Sequence, residues 1–204
     1  MCSRYTPADE SSIRKEFHPG LLRLSEPPVK PVIFPGYYAP IVFAPMGERI
    51  AEVRFWGFIT RIPGKRDPKS LLEKIMQNAV SETVDEKRTF KGAWDKSQRC
   101  IIPALNFMEP KAGQFVPIIS PERPVLAIAG IWGEVTYKEQ KHAAYTMLTC
   151  EPNSFMEEFH DRMPVILKPD DVDEWLSPDT PPDQAKKLCR PYKGKLTFAE
   201  KAGT

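Results

Sequence analysis

From residue 99 onward, the hydrophobic positions of this chain fall in blocks of strand length, separated by charged or proline-marked breaks. Residues 100–104 (CIIPA) read as a buried strand, 106–110 (NFMEP) continue it, and 114–120 supply a hairpin partner. Residues 125–137 (VLAIAGIWGEVTY) form a long apolar strand whose Gly130 and Gly133 mark a bulge or a tight bend. Residues 144–150 and 165–167 are further strands. In the first half, 31–34 and 40–43 read as short strands between prolines, and 48–60 as a longer one. Helical spacing is rarer. Ile13, Phe17, Leu21 and Leu22 follow it loosely across a break at Pro19-Gly20. Ser70 reads as the N-cap of a helix with Leu71, Leu72, Ile75 and Met76 on one face, running out at Asn78 as its C-cap. A shorter helix is expected around Lys87, Arg88 and Lys91, another opening at 151–154, and a last clear one over 169–176.

This alternation predicts an α+β fold: one curved, largely antiparallel β-sheet or small barrel with peripheral helices. No repeat or dividing linker is visible, so 1–204 reads as a single domain with a peripheral tail over 194–204.

Composition narrows the class only slightly. The chain is 41% hydrophobic and 27% charged, ordinary for a globular protein, and its net charge of +2 neither demands nor excludes nucleic acid. Its 22 prolines are about twice the usual share and fit short strands and rigid turns. No charged and apolar leader follows Met1, and no apolar run is long enough to span a membrane, which predicts a cytoplasmic, membrane-free protein, expected as a monomer. Cys2, Cys100, Cys150 and Cys189 show no metal-ligand spacing, so they read as free thiols and no metal or organic cofactor is implied.

Cys2 is chemically special because of its position. Removal of Met1 would give it a free α-amine beside its thiol, with a reference amine pKa of about 7.7–8 against about 10.4 for lysine. Such a 1,2-aminothiol can form an imine with an aldehyde and then close a thiazolidine ring, which lysine cannot do. Glu109 sits in an apolar strand, either at a wet edge or as a buried acid/base whose pKa is raised. His160 lies in a polar His-Asp-Arg cluster as a structural hydrogen-bonder or a proton carrier. Arg61, Lys65 and Arg66 belong to a basic, proline-punctuated loop over 61–69, directly after the aromatics of 55–58, a combination that suits a single strand of nucleic acid or merely a solvated surface.

Eight motifs occur in one register: Met1-Cys2-Ser3-Arg4-Tyr5, Tyr38-Ala39-Pro40, Phe55-Trp56-Gly57, Asn78-Ala79-x-Ser81-Glu82-Thr83, residues 99–104 (RCIIPA), Phe107-Met108-Glu109, residues 129–132 (AGIW) and residues 160–164 (HDRMP). With them, the chain up to about Leu176 resembles the SOS response-associated peptidase (SRAP) family. The resemblance implies recognition of abasic sites in single-stranded DNA and a covalent cross-link through the exposed cysteine, Cys2. It assigns catalytic roles to Cys2, Asn78, Glu109 and His160: Asn78 holding the sugar or the N-terminus, Glu109 shuttling protons, and His160 acting on the deoxyribose oxygen. It implies DNA contacts for Arg4 and Arg162 at phosphates, with Tyr38 and Trp56 as aromatic contacts beside Arg61, Lys65 and Arg66. The peptidase label implies hydrolysis limited to removal of Met1. The chain departs from the family pattern at Ser3, Tyr37, Val80 and Pro110, all at the DNA groove or pocket wall.

Two other readings fit an early cysteine. An N-terminal-cysteine amidotransferase or related hydrolase would need glutamine-holding arginine and aspartate motifs that the chain lacks. A non-catalytic single-stranded DNA-binding module would bind salt-sensitively, without regard to an abasic site.

Overall fold

The computed structural model describes residues 2–65, 70–111 and 113–199. In chain order the elements are β1 (Tyr5–Pro7), α1 (Glu10–Phe17), β2 (Leu21–Arg23), β3 (Tyr38–Phe43), β4 (Ile50–Trp56), β5 (Phe58–Pro63), β6 (Leu71–Met76) and β7 (Asn78–Val80). They continue with α2 (Arg88–Asp95), β8 (Arg99–Lys111), β9 (Gln114–Ile119), β10 (Leu126–Tyr137), β11 (Gln140–Cys150), β12 (Met163–Pro164), α3 (Val172–Leu176), α4 (Pro182–Leu188) and β13 (Thr197–Phe198). This is the α+β class, mostly strands in a curved sheet with four α-helices among the described residues. None of these helices is long and apolar enough to cross a membrane.

The main sheet runs β10-β11-β4-β3-β8-β9-β13, and β8 also pairs with β10. The path β10-β11-β4-β3-β8 therefore closes on itself like a barrel, which removes exposed edges from the strands that carry the core. All pairings in this ring are antiparallel except β4 with β11. Alternating apolar residues such as Ile41, Ala51, Ile101 and Met147 are fully buried and form the core with Trp56, Trp94 and Trp175. Gly130 sits where β8, β10 and β11 crowd together: a Cβ there would lie 2.7 Å from the Thr146 carbonyl oxygen. Helix α1 is opened by Asp9, whose carboxylate accepts from the Ser12 N–H at 2.7 Å, and closed by His18 in the left-handed conformation.

Several expected elements differ. The helix expected after Ser70 is strand β6, antiparallel to β5 with Phe58 opposite Met76 and Pro63 opposite Leu71. Its apolar positions fit either period, and hairpin pairing with the preceding strand β5 outweighed the local preference. Asn78 is accordingly in strand β7 rather than at a helix end. Arg61 belongs to β5, so the expected 61–69 loop begins as strand, and Arg66 lies outside the described residues. Residues 151–154 open turns instead of a helix, with the Asn153 side chain accepting from the Met156 N–H at 3.0 Å. The helix expected over 169–176 is a 3-10 turn leading into α3, and α4 follows it. Nor is the tail merely peripheral: Leu196 is buried and β13 pairs with β9.

Candidate active site at the amino terminus

Two backbones hold the first residues in place. β1 lies antiparallel to β8, with Tyr5 opposite Phe107, and the Met108 N–H donates to the Arg4 carbonyl at 3.0 Å. On its other side, Tyr5 exchanges backbone hydrogen bonds with Ile33 at 2.9 and 3.3 Å. The Tyr5 ring is fully buried, edge-on to Trp56 at 5.1 Å, and its hydroxyl meets that of Tyr145 at 2.5 Å. The chain start is thereby clamped to the barrel wall.

Cys2 is not the exposed cysteine expected from the resemblance: its side chain is buried, 1% exposed, with the thiol donating to the Arg4 carbonyl at 3.4 Å. Burial, reinforced by the nearby Glu109 carboxylate, pushes the thiol pKa up to about 12. The Asn78 side-chain amide donates to the Cys2 carbonyl at 2.7 Å. Asn78 can reach it because β7 runs parallel to β11, Asn78 beside Met147. The preceding residue is fixed twice: the Gln77 carbonyl accepts from the Met147 N–H at 3.0 Å and from the Trp56 indole at 2.9 Å.

Glu109 is buried at 2% exposure, not at a wet strand edge, and burial holds its carboxyl above the ordinary carboxylate range. Its Oε1 and the Oδ1 of Asn78 are buried with no hydrogen-bond partner among the described residues. Two acceptor oxygens without donors beside Cys2 are what a ligand carrying hydroxyl or amine donors would satisfy.

His160 sits at the mouth of the segment leading to β12, which pairs Pro164 with Thr149, while Val80 of β7 pairs with Thr149 from the other side. The His160 Nδ1 lies 3.0 Å from the Arg162 N–H and 2.6 Å from the Asp161 carboxylate. Burial still lowers its pKa against the pull of Asp161.

The expected DNA contacts divide. Arg4 is half-buried against aromatic rings beside Cys2. Arg61 is 62% exposed with Glu73 at 3.7 Å, and Lys65 is exposed. Glu73, opposite Arg61, is five residues before Asn78 in the sequence, on the order of 15 Å along an extended chain. Tyr38 donates to or accepts from His142 Nδ1 at 2.6 Å and is half-buried. Two expectations are corrected. Trp56 is fully buried, so its face packs on Tyr145 and offers nothing to a base. Arg162 is held by both carboxylate oxygens of Glu82, at 3.0 and 2.6 Å, and by the Thr149 carbonyl at 2.7 Å, which leaves its guanidinium committed to protein. Sequence reasoning missed this clamp between the Asn78 and His160 segments. Glu82 stands in a quoted motif, but nothing local marks a partner 80 residues away.

Among the described residues, no three His, Cys, Asp or Glu side chains cluster closely enough to hold a metal ion. The arrangement can do proton-transfer and amine or thiol chemistry on one small polar ligand.

"Abasic site processing protein YoaM" of Bacillus subtilis (strain 168) is 39% identical over 156 residues, covering 71% of this chain and 64% of that protein. "Abasic site processing protein HMCES" of Xenopus tropicalis is 28% identical over 179 residues, covering 72% of this chain and 51% of that protein. The match to these curated relatives thus spans less than two thirds of their length. A crystal structure of a protein from Bordetella bronchiseptica superposes with a TM-score of 0.77 at 28% identity, over 98% of this chain and 100% of that one. The family model described as SOS response associated peptidase (SRAP) matches residues 1–201, and the chain belongs to that family.

Proposed function

We propose that this protein processes abasic sites in single-stranded DNA by cross-linking to them through Cys2, once Met1 has been removed. The names of its relatives supply the substrate class. One observation carries the reading: Cys2 is anchored through its carbonyl by Asn78, with the Glu109 carboxyl, one oxygen unpartnered among the described residues, close enough to raise its thiol pKa.

The ring-opened abasic sugar presents an aldehyde at C1′. The Cys2 α-amine adds to it, and loss of one water gives an imine. The thiol then adds across that imine, sulfur to carbon and proton to nitrogen, closing a thiazolidine. Glu109 holds a proton more tightly than an ordinary carboxyl, so as general acid it protonates the carbinolamine hydroxyl, which leaves as water. As the resulting base it takes the proton of a thiol whose pKa of about 12 keeps it from ionising unaided at neutral pH. Asn78 fixes the reacting residue, which converts an encounter into an oriented reaction. His160, its pKa lowered, is uncharged near neutral pH and passes a proton at the sugar oxygen as the ring opens. Arg4, with Arg61 and Lys65 farther along the surface, contributes positive charge toward phosphates. Hydrolysis is confined to removal of Met1.

The test is intact-protein mass spectrometry after mixing with a single-stranded oligonucleotide bearing one abasic site, without a reducing agent. The expected species is the Met1-free protein plus the oligonucleotide less one water, absent in Cys2→Ala. If the wild type lacks Met1 and still forms no adduct, the proposal fails.

A further inference from the structure

Arg4, close to Cys2 in the chain, forms with Phe115, Phe34 and Tyr37 one contiguous row of three rings and a cation. The Arg4 guanidinium carbon lies 3.4 Å from the centroid of the Phe115 ring and 4.9 Å from that of Phe34. Phe34 in turn meets Tyr37 edge-on at 5.6 Å. The outer rings are open to solvent, Phe115 at 39% and Tyr37 at 43%. The row begins two residues from Cys2, and Phe115 pairs across β8 and β9 with Pro110, the neighbour of Glu109. The Arg4 Nε is buried between the rings without a hydrogen-bond partner among the described residues.

We infer that Phe115 and Tyr37, joined through Arg4 and Phe34, form a stacking platform for the unpaired bases flanking the abasic nucleotide. This rests on the proposed function and names the part of the strand that the surface holds. An abasic nucleotide leaves each neighbouring base with one face that has lost its stacking partner. A protein ring can take that place for any base, because every base has a π-face. The sandwiched cation adds attraction for those faces and for the phosphates between them. Exposed rings around a positive charge fit a polyanion with aromatic faces better than an apolar protein segment, which would have to bury the cation uncompensated.

The experiment uses a single strand carrying a tetrahydrofuran abasic analogue, which has no aldehyde and cannot cross-link, with binding read by fluorescence anisotropy. Phe115→Ala and Tyr37→Ala are each expected to weaken binding about tenfold, the low end for loss of one base–ring stack. The slope of affinity against salt should stay unchanged because no charge is removed, and Phe115→Trp should restore the affinity. Circular dichroism confirms that each variant is folded. If both alanine variants bind as the wild type does, the platform is overturned and the row is left to other partners. The cross-linking reading is judged separately, by whether the wild type forms an adduct with a true abasic strand. Its failure there would leave the ring variants' binding result standing on its own.

Discussion

Asn78 and Cys2 are joined by a single hydrogen bond of 2.7 Å, from the Asn78 side-chain amide to the Cys2 carbonyl, across 76 residues of sequence. This bond ties the chain start to β7, and through β7 to the barrel strand β11. Replacing Asn78 with alanine should slow single-turnover adduct formation about a hundredfold, the scale of losing alignment at a reacting centre. Stability should fall by about 1–3 kcal/mol, because the buried Cys2 carbonyl loses its donor. Denaturing gels of the adduct over time and urea melts separate the two effects.

Glu109→Gln should give the opposite sign in stability. The folded carboxyl has a raised pKa, so the wild type is penalised above the unfolded-state value, as pH rises and the buried group is pressed to ionise. The glutamine variant should therefore melt roughly 2–6 °C higher near pH 7. That advantage should disappear once pH falls below the ordinary carboxylate pKa of about 4.3. Its rate of adduct formation should drop by about two to four orders of magnitude, the usual contribution of a general acid–base group. A variant that is both less stable at neutral pH and fully active would contradict both roles.

The clamp between Glu82 and Arg162 has its own pH signature. Burial opposes ionisation of Glu82, but hydrogen bonds from Arg162 outweigh it and hold the carboxyl below its ordinary value. Its contribution to stability is therefore full above the unfolded-state pKa and lost as pH falls through the folded one. Glu82→Gln should destabilise the protein near neutral pH, and the difference from wild type should vanish in acid, as read by thermal melts across pH.

Gly57→Ala tests the junction of β4 and β5. Gly57 has φ of +137°, and an added Cβ would stand 2.2 Å from the Ile75 Cγ2. We expect a loss of about 2 kcal/mol or more in urea unfolding. Adding Ile75→Ala should relieve the clash but leave the backbone strain, so only part of the loss should return.

The buried hydroxyl pair of Tyr5 and Tyr145 offers a cycle of variants. Tyr5→Phe leaves the Tyr145 hydroxyl without this partner, at a cost of about 1–3 kcal/mol. Tyr5→Phe with Tyr145→Phe removes both polar groups and should cost less than the sum of the single changes.

Taken alone, the sequence was sufficient for β8, β10 and β11, whose apolar runs are rich in strand formers and bounded by turn signals, and for β9 as the hairpin partner of β8. It was sufficient, too, for the residue types of the site, since an early cysteine and a carboxylate in an apolar strand are visible one at a time. Tertiary structure decided where they meet. It turned residues 71–76 from an expected helix into β6, because pairing with the preceding strand β5 is a gain that the pattern of 71–76 by itself does not encode. It buried Trp56 and paired Arg162 with Glu82, two residues that the family resemblance had pointed toward DNA. It set Arg4 against Phe34 and Phe115, bringing three separate segments together. Burial and partner choice are properties of the closed sheet, and the pKa of Cys2 and of Glu109 follows from them rather than from their neighbours in the chain.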